Sequence, residues 1–254
     1  MSSTWEKVKV GICIPTAGLI RAAAAFSTYQ VVGMLAQRKL WAEAREQGLV
    51  MFMREGSGIA ANREKMVLEA LALDCTHILF IDDDMSFEPQ AFASLAGRRL
   101  PIVGCNYRMR FPPAEFTALH LDRSRGRMST TAESSGLEPA DYMGFGLCLI
   151  EARVFRALER PWFLPTYIEG VYTTEDLPFY WAARKGGFTA FVDQDASKLI
   201  GHIGIHDYRW HRSYEDAKQE CKAGPPDGSG GPRSEVRPEG GGATERGAGI
   251  QSGG

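Results

Sequence analysis

The segment HILFIDDDMSF, residues 77–87, sets an apolar, strand-like run directly against three consecutive carboxylates, Asp82, Asp83 and Asp84. Neighbouring like charges repel, and burying each would cost on the order of several kcal/mol unless something neutralised it. The triplet therefore reads either as a solvated surface loop or as a site for a divalent cation. The flanking pattern says where it lies. KVKVGICIP (7–15) is β-branched, apolar and stopped by Pro15, which predicts a buried first strand. A helix is expected from about Ala22 to Arg38, a second strand at GLVMFM and a second helix at SGIAANREKMVLEALALD. Ser57 is expected to cap that helix, with Ile59, Met66, Leu68 and Leu71 as its inward face. HILFI is the third strand, FEPQAFASLAG a short helix with Pro89 in its first turn, and PIVGCNY a fourth strand. Strands and helices that alternate in this way predict an α/β fold: a mostly parallel, Rossmann-like central sheet with helices on both faces. Ligands in such sheets bind beyond the carboxyl ends of the strands. The triplet sits at such an end, as does the loop after Pro15, and this favours the cation over the solvated loop.

The 254 residues fit one large α/β domain or two small ones, and 44% hydrophobic against 24% charged residues permits a sizeable core. A net charge of −2 excludes a strong global field toward nucleic acid or membrane. The five cysteines stand singly, without zinc or redox spacing, which favours a reducing compartment. The N-terminus is charged where a signal peptide is apolar, and no apolar run reaches the roughly 18–20 residues that span a bilayer. The expectation is a soluble, cytoplasmic protein with no transmembrane segment. Residues 107–140 are polar and Arg-rich without clear period. YMGFGLCLI is strand-like, EARVFRALE a short helix, TTEDLPFYWAARKGG a helix with a Gly stop, FTAFVD and SKLIGHIGI strands, and YRWHRSYEDAKQECK a final charged helix. From about Ala223 the Gly-, Pro- and Ser-rich chain predicts a disordered tail.

Four constellations offer chemistry. On a strand end, Asp82 and Asp84 would share a side, and such a DxD pair can serve a hard cation, Mg²⁺ or Mn²⁺, together with a nucleotide. Thr173–Thr174–Glu175–Asp176 opens a helix; acids there are ordinary helix-end residues, and one of them facing the site would serve as general base. Gly201–His202–Ile203–Gly204 holds a histidine between glycines, either a structural residue or a metal ligand, and His206 and His211 lack that setting. Arg98, Arg99, Arg108, Arg110, Arg123, Arg125 and Arg127, interleaved with Tyr107, Phe111 and Phe116, form either a solvated loop or a cradle for an anionic acceptor.

In their order and spacing, ICIPTAG, GIAANREKMVLEAL, ILFIDDDMSFEPQAF, YMGFGLCLIEARVF, TTEDLPFYWAARKGGF and IGHIG resemble the GT-A-fold glycosyltransferases, particularly the family 2-like inverting enzymes of bacteria and phages. The matches span roughly residues 8 to 206. The resemblance implies the GT-A (nucleotide-diphospho-sugar transferase) fold as one domain over 1–222, with a nucleotide-binding half (1–106) and an acceptor and catalytic half (107–222). It implies a nucleotide-diphosphate sugar donor, with Pro15 and Thr16 at the base and ribose and Arg63 near the nucleotide. Asp82 and Asp83 would face ribose and donor sugar. Asp84 and His202 would ligate Mn²⁺ or Mg²⁺, with Asp82 as a third ligand. Asp176 would be the general base, with Glu175 as its neighbour, and Gly144, Phe145 and Gly146 would line the sugar pocket. This chain reads Ala61-Asn62-Arg63 where the family more often has Ala-Arg-Asn, so either Asn62 or Arg63 faces the nucleotide. The acceptor stays open among a saccharide, a lipid-linked sugar, a protein and modified DNA.

Two rivals are weighed against it. ILFIDDDMSF also looks like the first motif of haloacid-dehalogenase-type phosphatases, with Asp82 as nucleophile and Asp84 as acid; two strands precede it here, where that motif sits on the first, and Ser86 stands where Thr is usual. A non-catalytic nucleotide-sugar or polymer-binding module is the other, and it would have no use for a base at Asp176.

Overall fold

The computed structural model describes residues 7–37, 46–168, 171–204 and 207–210. Its first half runs β1 (Lys7–Thr16), α1 (Ala22–Ala36), β2 (Glu46–Glu55), α2 (Ile59–Ala72), β3 (His77–Ile81), β4 (Met85–Phe87), α3 (Pro89–Arg98) and β5 (Ile102–Gly104). This follows the predicted alternation, with Pro89 opening α3 as expected. Two details differ. Gly58, not Ser57, precedes α2, and no side chain caps it. The most buried positions of α2 are Asn62, Arg63, Met66, Val67 and Ala70, so the helix is rotated to bring a polar pair inward.

The second half runs β6 (Leu119–His120), β7 (Leu137–Tyr142), β8 (Leu147–Glu151), α4 (Ala152–Ala157), β9 (Tyr167–Ile168), β10 (Val171–Tyr172), α5 (Asp176–Lys185), β11 (Ala190–Asp193), α6 (Gln194–Ser197), β12 (Ile200–Ile203) and β13 (Asp207–Arg209). YMGFGLCLI is not one strand: Tyr142 ends β7 and Leu147 begins β8, with residues 143–146 as the link. Residues 208 and 209, expected at the start of a charged helix, belong to the strand β13 instead. The rest of that expected helix, His206, His211 and the tail from residue 223 lie outside the described residues.

Eight strands form the central sheet in the order β2-β1-β3-β8-β5-β11-β7-β6. β1 pairs in parallel with β2 and β3, and β5 with β11. β8 runs antiparallel between β3 and β5, and β7 runs antiparallel between β11 and β6. Six strands thus point one way and two the other, a mostly parallel sheet. A smaller sheet, β13-β12-β4, stands at the end of β3.

Alternation along β3 feeds both faces of the main sheet. Ile78 and Phe80 join α2 and α5 in one core, and Leu79 and Ile81 join α1 and α3 in the other. The first core is aromatic: Phe80, Phe145, Phe155, Phe163, Phe179 and Tyr180 meet with ring centroids 5.0–6.5 Å apart. Edge-to-face and offset contacts of this kind add roughly 0.5–1.5 kcal/mol per pair beyond area burial. That rigid block underlies the carboxyl end of β3.

Candidate active site

Asp82 follows β3 directly, but the strand does not continue through the triplet. Met85 N donates to Asp82 O at 3.3 Å, so residues 82–85 form a turn before β4. The two-residue alternation ends at Ile81, and the expectation that Asp82 and Asp84 share one strand face is corrected. Each aspartate has its own surroundings. The backbone of Asp82 donates to Gly146 O (3.1 Å), and the backbone carbonyl of Asp83 accepts from Arg21 N (2.9 Å). The Asp84 carbonyl accepts from Ile203 N (2.7 Å), which ties the turn to β12.

Arg63, carried inward by α2, sits at the centre. Its guanidinium donates to Asp82 Oδ1 (2.6 Å) and to Glu175 Oε1, and it lies 5.0 Å from the Phe145 ring centroid. Burial works against this cation, but Asp82, Glu175 and Asp176 outweigh it and hold the guanidinium above its ordinary pKa. Asn62 turns elsewhere. Its amide donates to Gly56 O (3.2 Å) and closes the loop before α2. Of the two candidates, Arg63 faces the acidic cluster and Asn62 serves the backbone.

Glu175 and Asp176 stand at the start of α5. Asp176 Oδ2 accepts from Tyr142 OH (3.0 Å), and Oδ1 accepts from Thr174 Oγ1 and from Leu177 N (3.1 Å). Burial raises the Asp176 carboxyl above the usual range, and Thr174, Arg63 and Tyr142 restrain the rise. Burial likewise raises Glu175, opposed by Arg63. Two carboxylates held above their usual range beside one buried arginine are candidates for proton transfer.

Asp84 meets His202: Nε2 of the imidazole lies 3.3 Å from Asp84 Oδ2. The other ring nitrogen, Nδ1, is 2.9 Å from Arg108 O, which makes it the donor of that bond. Arg110 also reaches Asp84 Oδ2. Burial opposes ionisation of Asp84, yet His202 and Arg110 outweigh it and hold its carboxyl below the usual range. Among the described residues no three His, Cys, Asp or Glu side chains cluster in a way that could hold a metal ion. Asp82, expected as a third ligand, is bonded through Oδ1 to Arg63, and the carboxylate that meets His202 is that of Asp84.

Pro15 and Thr16 end β1 and are buried; Thr16 Oγ1 accepts from Gly18 N (3.1 Å), and Thr16 O from Gly56 N (2.9 Å). A cavity of about 250 Å³ opens beside Asp82 and Asp83, lined by Ile14, Thr28, Tyr29, Val32, Met51 and Met53 among others. The segment Gly144–Phe145–Gly146 does not line an open pocket, which corrects that expectation. Phe145 is 1% exposed within the aromatic core. A Cβ on Gly144 would lie 2.1 Å from the Tyr107 hydroxyl, and one on Gly146 2.7 Å from its ring. The glycines make room for Tyr107, whose hydroxyl accepts from Gly146 N (3.1 Å).

The Arg-rich segment is not one free basic face. Arg98 pairs with Asp193 (2.8 Å), Arg123 with Asp141 (2.5 Å), Arg127 with Glu115 (2.7 Å) and Arg125 with Glu138 (3.6 Å). Sequence reasoning overlooked Tyr142 and the backbone carbonyl of Arg108, and it grouped Tyr107 with the Arg-rich segment rather than against Gly144 and Gly146. Tyr142 had a visible signal, a polar-tipped aromatic at the head of YMGFG; the carbonyl had none.

No family model and no curated protein matches the chain. Among solved structures it is similar to A197 from STIV, with a TM-score of 0.52 and 14% identity over 78% of this chain and 86% of that one. Likeness at that identity concerns the fold: an α/β protein built on a large, mostly parallel sheet. Among the described residues no helix is long and apolar enough to cross a membrane.

Proposed function

We propose that the chain is a GT-A-type glycosyltransferase that moves a sugar from a nucleotide-diphosphate donor to an acceptor hydroxyl with inversion. One observation carries this reading: Arg63 joins the carboxyl end of β3 to the start of α5, bringing Asp82 beside the Glu175–Asp176 pair next to the Asp84–His202 pair. The residues suit a hard divalent cation. The Nδ1–H of His202 is committed to Arg108 O, leaving Nε2 to face Asp84, and a guanidinium already lies against that carboxylate. Asp84 and His202 would hold Mn²⁺ or Mg²⁺, with donor oxygens completing the shell. When bound, the metal would supply charge stabilisation for the leaving diphosphate.

The chain's own groups do the rest. Asp176, restrained by Tyr142 and Thr174, takes the acceptor proton as the hydroxyl attacks. Arg63 keeps Glu175 and Asp82 in register with it. The cavity beside Asp82 and Asp83 offers apolar walls to the base and carboxylates to ribose hydroxyls. With one base and no nucleophile needed, inversion follows. The phosphatase reading gains no comparable support: the acidic triplet follows the third strand, after β1 and β2, where that motif sits on the first.

The test is a donor screen: nucleotide sugars with Mn²⁺, scored by slow donor hydrolysis and thermal shift. At least one donor should be hydrolysed and should stabilise the protein, and Asp84→Ala and His202→Ala should weaken that Mn²⁺-dependent binding. Release of phosphate from small phosphoesters, with no response to any nucleotide sugar, would replace this reading with the phosphatase.

A further inference from the structure

Residues 107–117 fold back on themselves. Thr117 N donates to Tyr107 O (2.9 Å), Met109 N to Glu115 O (2.8 Å), and Ala114 N to Phe111 O (2.8 Å) at the turn. The base of this hairpin is anchored by His202 through Arg108 O. The Arg108 guanidinium donates to Ala114 O (3.0 Å) within the hairpin and to Trp210 O (3.4 Å) outside it, and lies 4.3 Å from the Phe116 centroid. Arg110 leaves the hairpin. Its side chain is 43% exposed, yet its Nη1 reaches Asp84 Oδ2, whose side chain is 10% exposed. Phe111 beside it, 5.2 Å from the guanidinium, is 64% exposed. Among the described residues, the ion pair between Arg110 and Asp84 ties the tip to the site.

The oxygen that takes Arg110 is the same oxygen that faces His202 Nε2. A divalent cation held between Asp84 and His202 would need that position. We propose that Arg110 and a divalent cation compete for Oδ2 of Asp84, and that the displaced guanidinium becomes a ligand of the donor's diphosphate. This rests on the glycosyltransferase reading. An arginine that neutralises a buried carboxylate while 43% of its side chain stays exposed fits the role. It offsets the burial of the Asp84 carboxylate together with His202, and its planar fork matches phosphate oxygens once released.

The test uses the full chain and two probes, Mn²⁺ followed by electron paramagnetic resonance and inorganic pyrophosphate followed by calorimetry. Against wild type, Arg110→Ala should bind Mn²⁺ roughly fivefold tighter, the size expected for losing a half-exposed competing ion pair. The same variant, saturated with Mn²⁺, should bind pyrophosphate more weakly by a similar factor. Equal or weaker Mn²⁺ binding in Arg110→Ala, with Mn²⁺ lost in Asp84→Asn, overturns the competition and leaves the metal assignment standing. Tighter Mn²⁺ with unchanged pyrophosphate binding overturns the diphosphate role. Mn²⁺ binding absent from wild type, or untouched by Asp84→Asn, overturns the metal assignment itself.

Discussion

Arg63 carries the electrostatics of the site. It is buried, and Asp82, Glu175 and Asp176 all act on it. Removing one partner of a buried ion cluster costs on the order of 3–5 kcal/mol, because the remaining charges lose their compensation. Arg63→Met should therefore destabilise the protein by about that amount in chemical denaturation. The loss should grow as pH rises. Without Arg63, Glu175 and Asp176 are pushed further up, so the folded state binds more protons than the unfolded one and stability falls from acidic toward neutral pH. A pH-independent loss would show that Arg63 acts through packing on Phe145 alone. Asp176 gives the matching kinetic prediction. Asp176→Asn should lower transfer by roughly 10²–10⁴-fold while donor binding persists, as measured by turnover and calorimetry. In the wild type the acidic limb of kcat/KM should lie above the ordinary aspartate range, since burial raises that carboxyl. Arg63, Glu175 and Asp176 were singled out as candidates in the sequence. Their partners were not: the Arg63–Glu175 bond joins positions 112 apart along the chain, and no local pattern encodes it.

At the level of elements, the link between β7 and β8 sets the position of Asp82. Gly146 O receives the Asp82 amide, and Gly146 N donates to the Tyr107 hydroxyl, so Tyr107, the link and the acidic turn form one unit. Gly144→Ala should cost roughly 1–3 kcal/mol, the usual price of overpacking a filled space. Tyr107→Phe should partly relieve it, because the hydroxyl is the nearest atom to the added methyl while the ring carbon behind it still crowds at 2.8 Å. Thermal denaturation of the two single variants and the double variant measures that coupling. The first-half elements were legible because hydrophobic period and Gly/Pro punctuation agree there. YMGFGLCLI misled for a physical reason: an unbroken apolar run satisfies a buried strand and a buried turn equally well, and only the approach of Tyr107 distinguishes them. The helix face of α2 misled similarly, since apolar counting passes over a buried Arg63 that is compensated from elsewhere.

Across the whole molecule, β8 lies between β3 and β5, and β11 lies on the far side of β5. β5 therefore reaches the N-terminal strands of the sheet only through a strand that follows it by some forty residues. A fragment ending at residue 106 should fail to form a cooperative native state, with no sharp urea transition by circular dichroism, whereas the full chain should unfold with coincident far-ultraviolet and tryptophan signals. A sharp, reversible transition in the fragment would show an independent N-terminal unit. The strand order itself lay beyond the sequence: the alternation announced a parallel sheet, but nothing local marks β8 as the strand that inserts antiparallel. That insertion bears on synthesis at the ribosome. While residues up to about 110 have emerged, β3 offers the Ile78–Ile81 backbone along a bare flank, ready to pair with any extended neighbour, and it stays so until Leu147–Glu151 is translated. At roughly 5–20 residues per second the wait lasts seconds. Slow codons placed between those two points would lengthen that vulnerable interval and lower the soluble yield.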